Sequence, residues 1–412
     1  MVKKEDEYEE KDLRTHIYET TDTYAGSDQM IRSRLAIMKE GDTKVLLSEI
    51  DYIPVIYKMF DEIIVNARDQ RERLKGRKGS IQLTEIRVNI DHETGEVSVY
   101  NNGDGIKIEK HSSGLYNPNL IFGRLLTSGN YKKNEKRIVG GKNGYGAKIV
   151  NIFSTEFIVE TGDRHTKQNY YQRFYENMKK VDEPVIKKYS GKPYTKVTWR
   201  TDFPRFGINK FSDNMISLMK RRVYDIAGVT DKKVNVYYND EKVNVNSFQD
   251  YIELYPGDKK IYEKLSDRWD IGVSVSPNDK FEQISFVNGI STPNGGVHVD
   301  VLTKMITTNV VKYIKKKHKK DVLEKYVKNY LSVYLNCIIE NPSFDSQAKE
   351  RLITPKSKFG SHPEVNDKYI KKLCDSGLSE KVLQFSEFKE KSLAKKTNGS
   401  NNRIVTATGT DG

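Results

Sequence analysis

Gly140-Gly141-Lys142-Asn143-Gly144-Tyr145-Gly146-Ala147-Lys148, followed at once by Ile149-Val150-Asn151-Ile152-Phe153, decides how this chain folds. Four glycines in seven residues, two lysines and a periodic apolar tail describe a glycine-rich loop entering a helix. Such a loop lets backbone N–H groups approach phosphate oxygens, and the helix N-terminus adds partial positive charge. Two common phosphate loops are excluded. G-x-x-x-x-G-K-[ST] fails because Ala147 follows Gly146, and the dinucleotide fingerprint G-x-G-x-x-G does not fit.

Upstream, Pro54 to about Arg73 reads as an amphipathic helix with proline in its first turn. Val55, Ile56, Met59, Phe60, Ile63, Ile64 and Ala67 recur at helical spacing and mark a core face. Glu62, Asn66 and Asp69 stand on another face. An asparagine one turn after a glutamate suits metal–phosphate chemistry: the amide offers Mg²⁺ a neutral oxygen and the acid can orient and deprotonate a water. A solvated polar face would look the same. Ile86–Ile90 and Glu96–Tyr100 alternate as two strands around a turn, then lead into Asn101-Asn102-Gly103-Asp104-Gly105-Ile106. Glycines at 103 and 105 allow a sharp turn beside a flat ligand, or a plain hairpin turn. Leu125-Leu126-Thr127-Ser128-Gly129-Asn130-Tyr131 adds hydroxyl and amide groups just before the loop.

Glu62…Asn66, Asn101–Gly105 and Gly141–Gly146 stand in the order of the motifs of the gyrase/heat-shock-chaperone/histidine-kinase/MutL (GHKL) ATPases, which this chain resembles. The wording narrows further. Phe60-Asp61-Glu62-Ile63-Ile64-Val65-Asn66-Ala67, Leu125-Leu126-Thr127-Ser128, Ile226-Ala227-Gly228, Ile284-Ser285-Phe286-Val287-Asn288 and Glu340-Asn341-Pro342-Ser343-Phe344-Asp345-Ser346-Gln347 look like the N-terminal part of eukaryotic and viral type IIA DNA topoisomerases, over residues 8 to 395.

The resemblance implies an α/β (α+β) architecture: a GHKL sandwich with a mixed sheet, then a ribosomal-S5-like transducer. It implies ATP and Mg²⁺ as cofactors. Glu62 matches the general base, Asn66 the Mg²⁺ ligand, Asn102 a nucleotide-contacting asparagine, and Asn101 the place where bacterial relatives put an adenine-reading aspartate. Thr195 matches a threonine near the adenine, and Ser128, Gly129 and Asn130 a segment at the ribose and α-phosphate. Gly141, Lys142, Asn143, Gly144, Tyr145, Gly146, Ala147 and Lys148 match the lid around the triphosphate. Gln347, Ala348 and Lys349 match a second-domain loop whose lysine reaches the γ-phosphate. Gly129 and Ala348 stand where the family more often has serine and threonine, so each removes a hydroxyl. Tyr8, Thr15-His16-Ile17 and Asp22–Ser27 resemble a strap that crosses to a partner subunit and puts a tyrosine near its nucleotide; composition alone reads residues 2 to 12 as a disordered charged leader.

At 412 residues two domains are expected, with the boundary at Tyr255-Pro256-Gly257-Asp258. The expected parts are a strap over 1–30, the ATPase over 31–255, the transducer over 256–395 and a Gly/Asn/Thr-rich tail or edge over 396–412. Lys+Arg total 70 against 57 Asp+Glu, a net +13 that points to a polyanionic partner. The densest cluster, Lys312 to Lys320, ends a helix expected from about Val299 with Val301, Met305 and Val310 among its apolar positions. Cations there can be ordinary helix-end compensation; the resemblance implies a DNA-facing loop, with Lys315, Lys316, Lys317, Lys319 and Lys320 on double-stranded DNA. Two cysteines, Cys337 and Cys374, with no zinc spacing, fit reduced thiols and an intracellular setting, which the resemblance narrows to nuclear or viral. No signal peptide and no membrane-length apolar run is present.

Glu40-Gly41-Asp42 resembles the start of a DNA-cleavage metal site, but no Asp-x-Asp follows, and it reads as a turn. The expectation is an ATP-dependent homodimeric gate for DNA, without the cleavage domains, which would be supplied in cis or by another subunit. A chaperone-type or a MutL-like ATP clamp is the alternative.

Overall fold

The computed structural model describes residues 10–127, 138–139, 144–257 and 259–405. The chain forms two compact units. The first holds Met1–Pro256 and also takes in Phe286–Ser291 and Ile338–Arg351; the second holds Gly257–Ser285, Thr292–Cys337 and everything from Leu352. A single cut near residue 255 therefore misses two segments that return to the first unit.

The first unit opens with α1 (Leu13–Glu19) and α2 (Thr21–Ala25), then the hairpin β1 (Ile31–Ile37) and β2 (Leu46–Tyr52) and the long α3 (Pro54–Leu74). After β3 (Glu85–Ile90) and β4 (Glu96–Asn102) come α4 (Asn117–Gly123) and α5 (Gly146–Ile152). The strands β5 (Ser154–Asp163), β6 (Gln168–Tyr175), β7 (Lys180–Val181), β8 (Val185–Lys188) and β9 (Tyr194–Thr201) follow. Then come α6 (Asp213–Val229), β10 (Asn235–Tyr238), β11 (Glu241–Lys242) and α7 (Phe248–Ile252). Nine strands make one sheet in the order β11-β10-β3-β4-β9-β5-β6-β7, with β8 also on β6. The β10–β3 pair is parallel and its neighbours are antiparallel, so the sheet is mixed.

Alternation sets the buried face of that sheet. Val97, Trp199 and Phe157 stand in one row across β4, β9 and β5, and Val99, Val197 and Val159 in the next; all six are buried. α3 packs on β4, α5 and α6. Its apolar face is buried along its length; truncating Phe60 there to alanine costs about 3–5 kcal/mol. Glu62, Arg68 and Asp69 are buried as well, so the polar side of α3 is an interior surface and not a solvated one. The Glu40-Gly41-Asp42 stretch turns between β1 and β2, with Glu40 held by Lys220 and Tyr238.

Residues 12–28 dock on their own chain. Asp12 caps α1 through the Arg14 and Thr15 amides. Arg205 donates to the Tyr18 carbonyl, the Thr21 hydroxyl and the Asp28 carboxylate, and Arg14 donates to the Asn177 carbonyl. The Arg14 and Arg205 guanidinium groups lie 5.2 and 4.9 Å from the centroid of the Tyr18 ring, which also stacks on Phe153. These contacts tie residues 12–28 to their own chain; Tyr8 lies outside the described residues.

β12 (Ile261–Ser266), β13 (Trp269–Val275), β14 (Glu282–Val287), β15 (Ile290–Ser291) and, after α8 (Val297–His318) and α9 (Glu324–Asn329), β16 (Leu331–Cys337) form another sheet, ordered β12-β13-β16-β14-β15. α10 (Asp367–Leu373) and α11 (Ser379–Val405) follow. The buried stripe of α8 is Val299, Leu302, Ile306, Val310 and Ile314. Val301 and Met305, expected on the apolar face, lie one step round the helix and line a groove with Lys304 and Thr308. α11 also continues into the segment expected as a tail, as far as Val405, since an established helix adds residues without a new nucleation cost. Both cysteines are buried, and neither is in a disulfide among the described residues.

Candidate functional site

Glu62 sits in the middle of α3, buried, with two ammonium groups on one carboxylate oxygen. Lys58 Nζ lies 2.8 Å from Oε1 and Lys349 Nζ 3.1 Å from it. Burial alone would raise this carboxyl, but Lys349 and then Lys58 outweigh it and hold it down to about 2. Lys58 also stands 3.6 Å from Asp61 and donates to the Ala348 carbonyl. Gly146, the first residue of α5, packs directly on the same carboxylate: a Cβ there would overlap Glu62 Oε2. Asn66, one turn on, is half-buried and has no hydrogen-bond partner among the described residues. One neutral oxygen at that place fits a Mg²⁺ that takes its other ligands from phosphates and water. Among the described residues no cluster of His, Cys, Asp and Glu forms a metal site.

The sheet supplies the next wall. Asn101 of β4 stands opposite Thr195 of β9, and Thr195 opposite Thr161 of β5. Thr161 donates to the Tyr194 carbonyl, accepts from the Ile106 amide and lies 3.4 Å from the Thr195 hydroxyl. Asn101 donates to the Asn102 carbonyl. Asn102 is committed internally: its oxygen accepts from the Thr84 and Glu85 amides and its nitrogen donates to Thr84. Its side chain fastens β4 to the segment before β3, which leaves Asn101 and Thr195 as the amide and hydroxyl of this row. Asp104, in the same motif, accepts from the Ile81 amide and pairs with Arg164. Gly105, at φ 72°, passes so close to the Gly162 carbonyl that a Cβ would overlap it, so the motif turns where only glycine fits.

Of the lid, Gly144 to Lys148 lie within the described residues; Gly141, Lys142 and Asn143 lie outside them, as do Ser128, Gly129 and Asn130. The Tyr145 ring lies 6.0 Å from that of Tyr24. Lys148 is buried and donates to the Thr127 carbonyl, 2.9 Å away. Burial pushes its ammonium down to about 8, with no acid opposing the shift.

Gln347, Ala348 and Lys349 belong to the first unit, not to the second as expected. Lys349 takes φ 63°, and its amide donates to the Ser346 carbonyl, which turns the side chain onto Glu62. The structure thus brings Glu62, Lys349 and Gly146 into contact, with Asn66 on the same helix. Sequence reasoning missed Lys58, although its place four residues before Glu62 was a readable signal. It also missed Thr161, for which the sequence carries no signal.

In the second unit, the lysine run divides. Lys315 pairs with Asp321, and Lys317 with Asp375 and Tyr313. Lys316, Lys319 and Lys320 are exposed and have no acidic partner among the described residues.

Comparison with known proteins places the chain in a family. Residues 52–172 match the family model described as histidine kinase-, DNA gyrase B- and HSP90-like ATPase, and residues 232–401 match that of DNA gyrase B. A probable DNA topoisomerase 2 of Dictyostelium discoideum is 43% identical over 96% of this chain and 26% of its own length. The chain thus spans about a quarter of the curated relatives it matches. The crystal structure of the ATPase region of Saccharomyces cerevisiae topoisomerase II superposes with a TM-score of 0.86 at 38% identity, covering 92% of this chain and 98% of that one. The ATPase and transducer domains of DNA topoisomerase II from Balamuthia mandrillaris give 0.88 at 37%, covering 93% and 98%. With both units matched at this identity, and with a glutamate, an asparagine and a lysine gathered beside a glycine-rich helix start, the chain belongs to the type II DNA topoisomerases, as their ATPase region.

Proposed function

We propose that this chain binds and hydrolyses ATP with Mg²⁺, dimerises as it does so, and acts as the gate through which a type II topoisomerase captures a double-stranded DNA segment. The contact of Glu62 with Lys349 carries this reading. It puts a buried, ionised acid and a buried cation at one point, where a γ-phosphate and its attacking water would lie.

In this reading Glu62 Oε takes the proton of the attacking water. Lys58 remains on the carboxylate and keeps it oriented while Lys349 exchanges the carboxylate for the γ-phosphate. Asn66 would hold Mg²⁺, which neutralises charge on the phosphates. Asn101, Thr195 and Thr161 face the base, and Lys148 gives the lid a positive charge. Lys316, Lys319 and Lys320 meet the DNA backbone, with Lys315 and Lys317 contributing less because acids already hold them. The DNA-cleaving part comes from the remainder of the enzyme, and the setting is inside the cell, where DNA is.

The test is ATP turnover of the purified chain with and without duplex DNA at low salt. Turnover that rises with DNA supports the gate. If duplex DNA neither binds nor stimulates, the chaperone-type clamp replaces it.

A further inference from the structure

Asn288 ends a motif for which the nucleotide site has no use, yet it and the next residue, Gly289, are deeply built into the first unit. Asn288 is fully buried at φ 52°. Its side chain bonds both ways with one backbone residue: Nδ2 donates to the Ile339 carbonyl at 2.9 Å, and Oδ1 accepts from the Ile339 amide at 2.8 Å. Ile339 opens the segment that ends at Lys349.

The same turn is held from behind by two buried arginines. Arg68 of α3 donates to the Asn288 carbonyl at 3.1 Å. Arg222 of α6 donates to the Gly289 carbonyl at 2.8 Å and to Asp61 of α3 at 2.6 Å. Gly289, at φ 78°, lies flat on Arg68, where a Cβ would overlap the guanidinium stem. Burial works against the Asp61 charge, but Arg222 and Lys58 outweigh it and keep the carboxyl below its ordinary value. Tyr251 donates to Asp225, which stands 3.7 Å behind Arg222.

α3 therefore grips the 339–349 segment at both ends. Its Lys58 and Glu62 hold the tip at Ala348 and Lys349, and its Arg68, through the Asn288–Gly289 turn, holds the root at Ile339. Lys58 and Arg68 are ten positions apart, about 15 Å along a helix. Ten residues of free chain can reach about 33–36 Å. The segment has slack, so its own length does not decide where Lys349 falls.

We propose that Asn288 and Gly289, braced by Arg68 and Arg222, are positioning residues that fix where Lys349 reaches relative to Glu62. This rests on the reading of Glu62 and Lys349 given above. When Lys349 moves from the acid to a phosphate, the root stays clamped and the displacement is confined to the tip.

The experiment is a double-mutant cycle on steady-state ATP turnover of the whole chain, combining Asn288→Asp with Lys349→Ala. Asn288→Asp keeps the shape and the tolerance of positive φ but cannot donate to the Ile339 carbonyl. Turnover should fall roughly tenfold from Asn288→Asp in the parent and less than about twofold in the Lys349→Ala background, with KM for ATP little changed. A purely structural role would give equal losses in both backgrounds and overturns the proposal. Arg222→Lys, which keeps a charge against Asp61 but cannot also span to the Gly289 carbonyl, gives a second cycle that decides the matter if Asn288→Asp does not fold. A Lys349→Ala variant with parental turnover removes the reading of the site, and this proposal with it.

Discussion

Lys349 Nζ lies 3.1 Å from Glu62 Oε1, so the acid proposed to activate water and the lysine proposed to hold the phosphate meet in one ion pair. Its consequences for function can be measured.

Glu62→Gln should retain a non-hydrolysable ATP analogue while turnover falls about 10²–10⁴-fold, the range expected for loss of a general base. Stability should change with pH in a defined direction. The folded carboxyl lies near 2 against an ordinary 4.5, so its ion pairs stabilise the fold above about pH 4.5 and are lost as pH falls toward 2. Melting temperatures of parent and variant should converge across that window. Curves that stay parallel through it contradict the assignment of the ion pairs.

Lys349→Ala should slow turnover and weaken nucleotide-driven closure together, because one side chain serves the acid and the phosphate. Small-angle scattering with and without the analogue measures the closure. A variant that compacts like the parent and turns over slowly would confine Lys349 to chemistry.

Lys148 makes a prediction about protons. Burial holds its ammonium at about 8 in the fold, so near pH 8.5 much of it is neutral; a bound phosphate would raise it again. Nucleotide binding at pH 8.5 should then take up a fraction of a proton, and at pH 6.5 almost none. Calorimetry in buffers of different ionisation enthalpy reads this directly. Uptake that persists in Lys148→Met points to another group.

For DNA, the free lysines should matter more than the paired ones. Changing Lys316, Lys319 and Lys320 to alanine should weaken duplex binding alike on unrelated sequences and flatten the salt dependence by up to about three units of slope. Lys315 and Lys317, already held by Asp321 and Asp375, should give a smaller change. Filter binding over a salt series separates the two variants, and equal slopes would dissolve the distinction.

Dimerisation should depend on nucleotide and on the N-terminus. Sedimentation should show mostly monomer alone and more dimer with the analogue. Because residues 12–28 pack on their own chain, deleting residues 1–27 would damage the fold it is meant to test. Deleting residues 1–10 is the cleaner probe: the nucleotide-driven shift should vanish while the melting temperature stays. A dimer fraction equal to the parent's would refute the strap assignment.

Much of α3 was legible because its signal is local: Pro54 starts it, and seven apolar residues at helical spacing mark the face it buries. Glu62 and Asn66 were readable as a pair on that helix. The resemblance supplied Lys349, since nothing in residues so far along the chain says what they touch. Asn102 shows where motif reading stops. Its type and place fit a ligand contact, yet backbone amides of Thr84 and Glu85 occupy it, and such bonds across strands leave no pattern in the sequence. Arg222 was illegible for a related reason. A charged residue in an amphipathic helix reads as exposed until its partners, Asp61 and the Gly289 carbonyl, are known.

The fit of Gly146 against Glu62 joins two distant positions into one unit of inheritance. An alanine at 146 would push the carboxylate off its lysines without altering any charged residue. A lineage that drifted there could keep its fold by shortening the acid to aspartate, but the oxygen would then draw back from the water it has to reach. Related chains should therefore vary at 62 and 146 together or at neither, and an exchange at 146 alone should mark a copy that has given up hydrolysis.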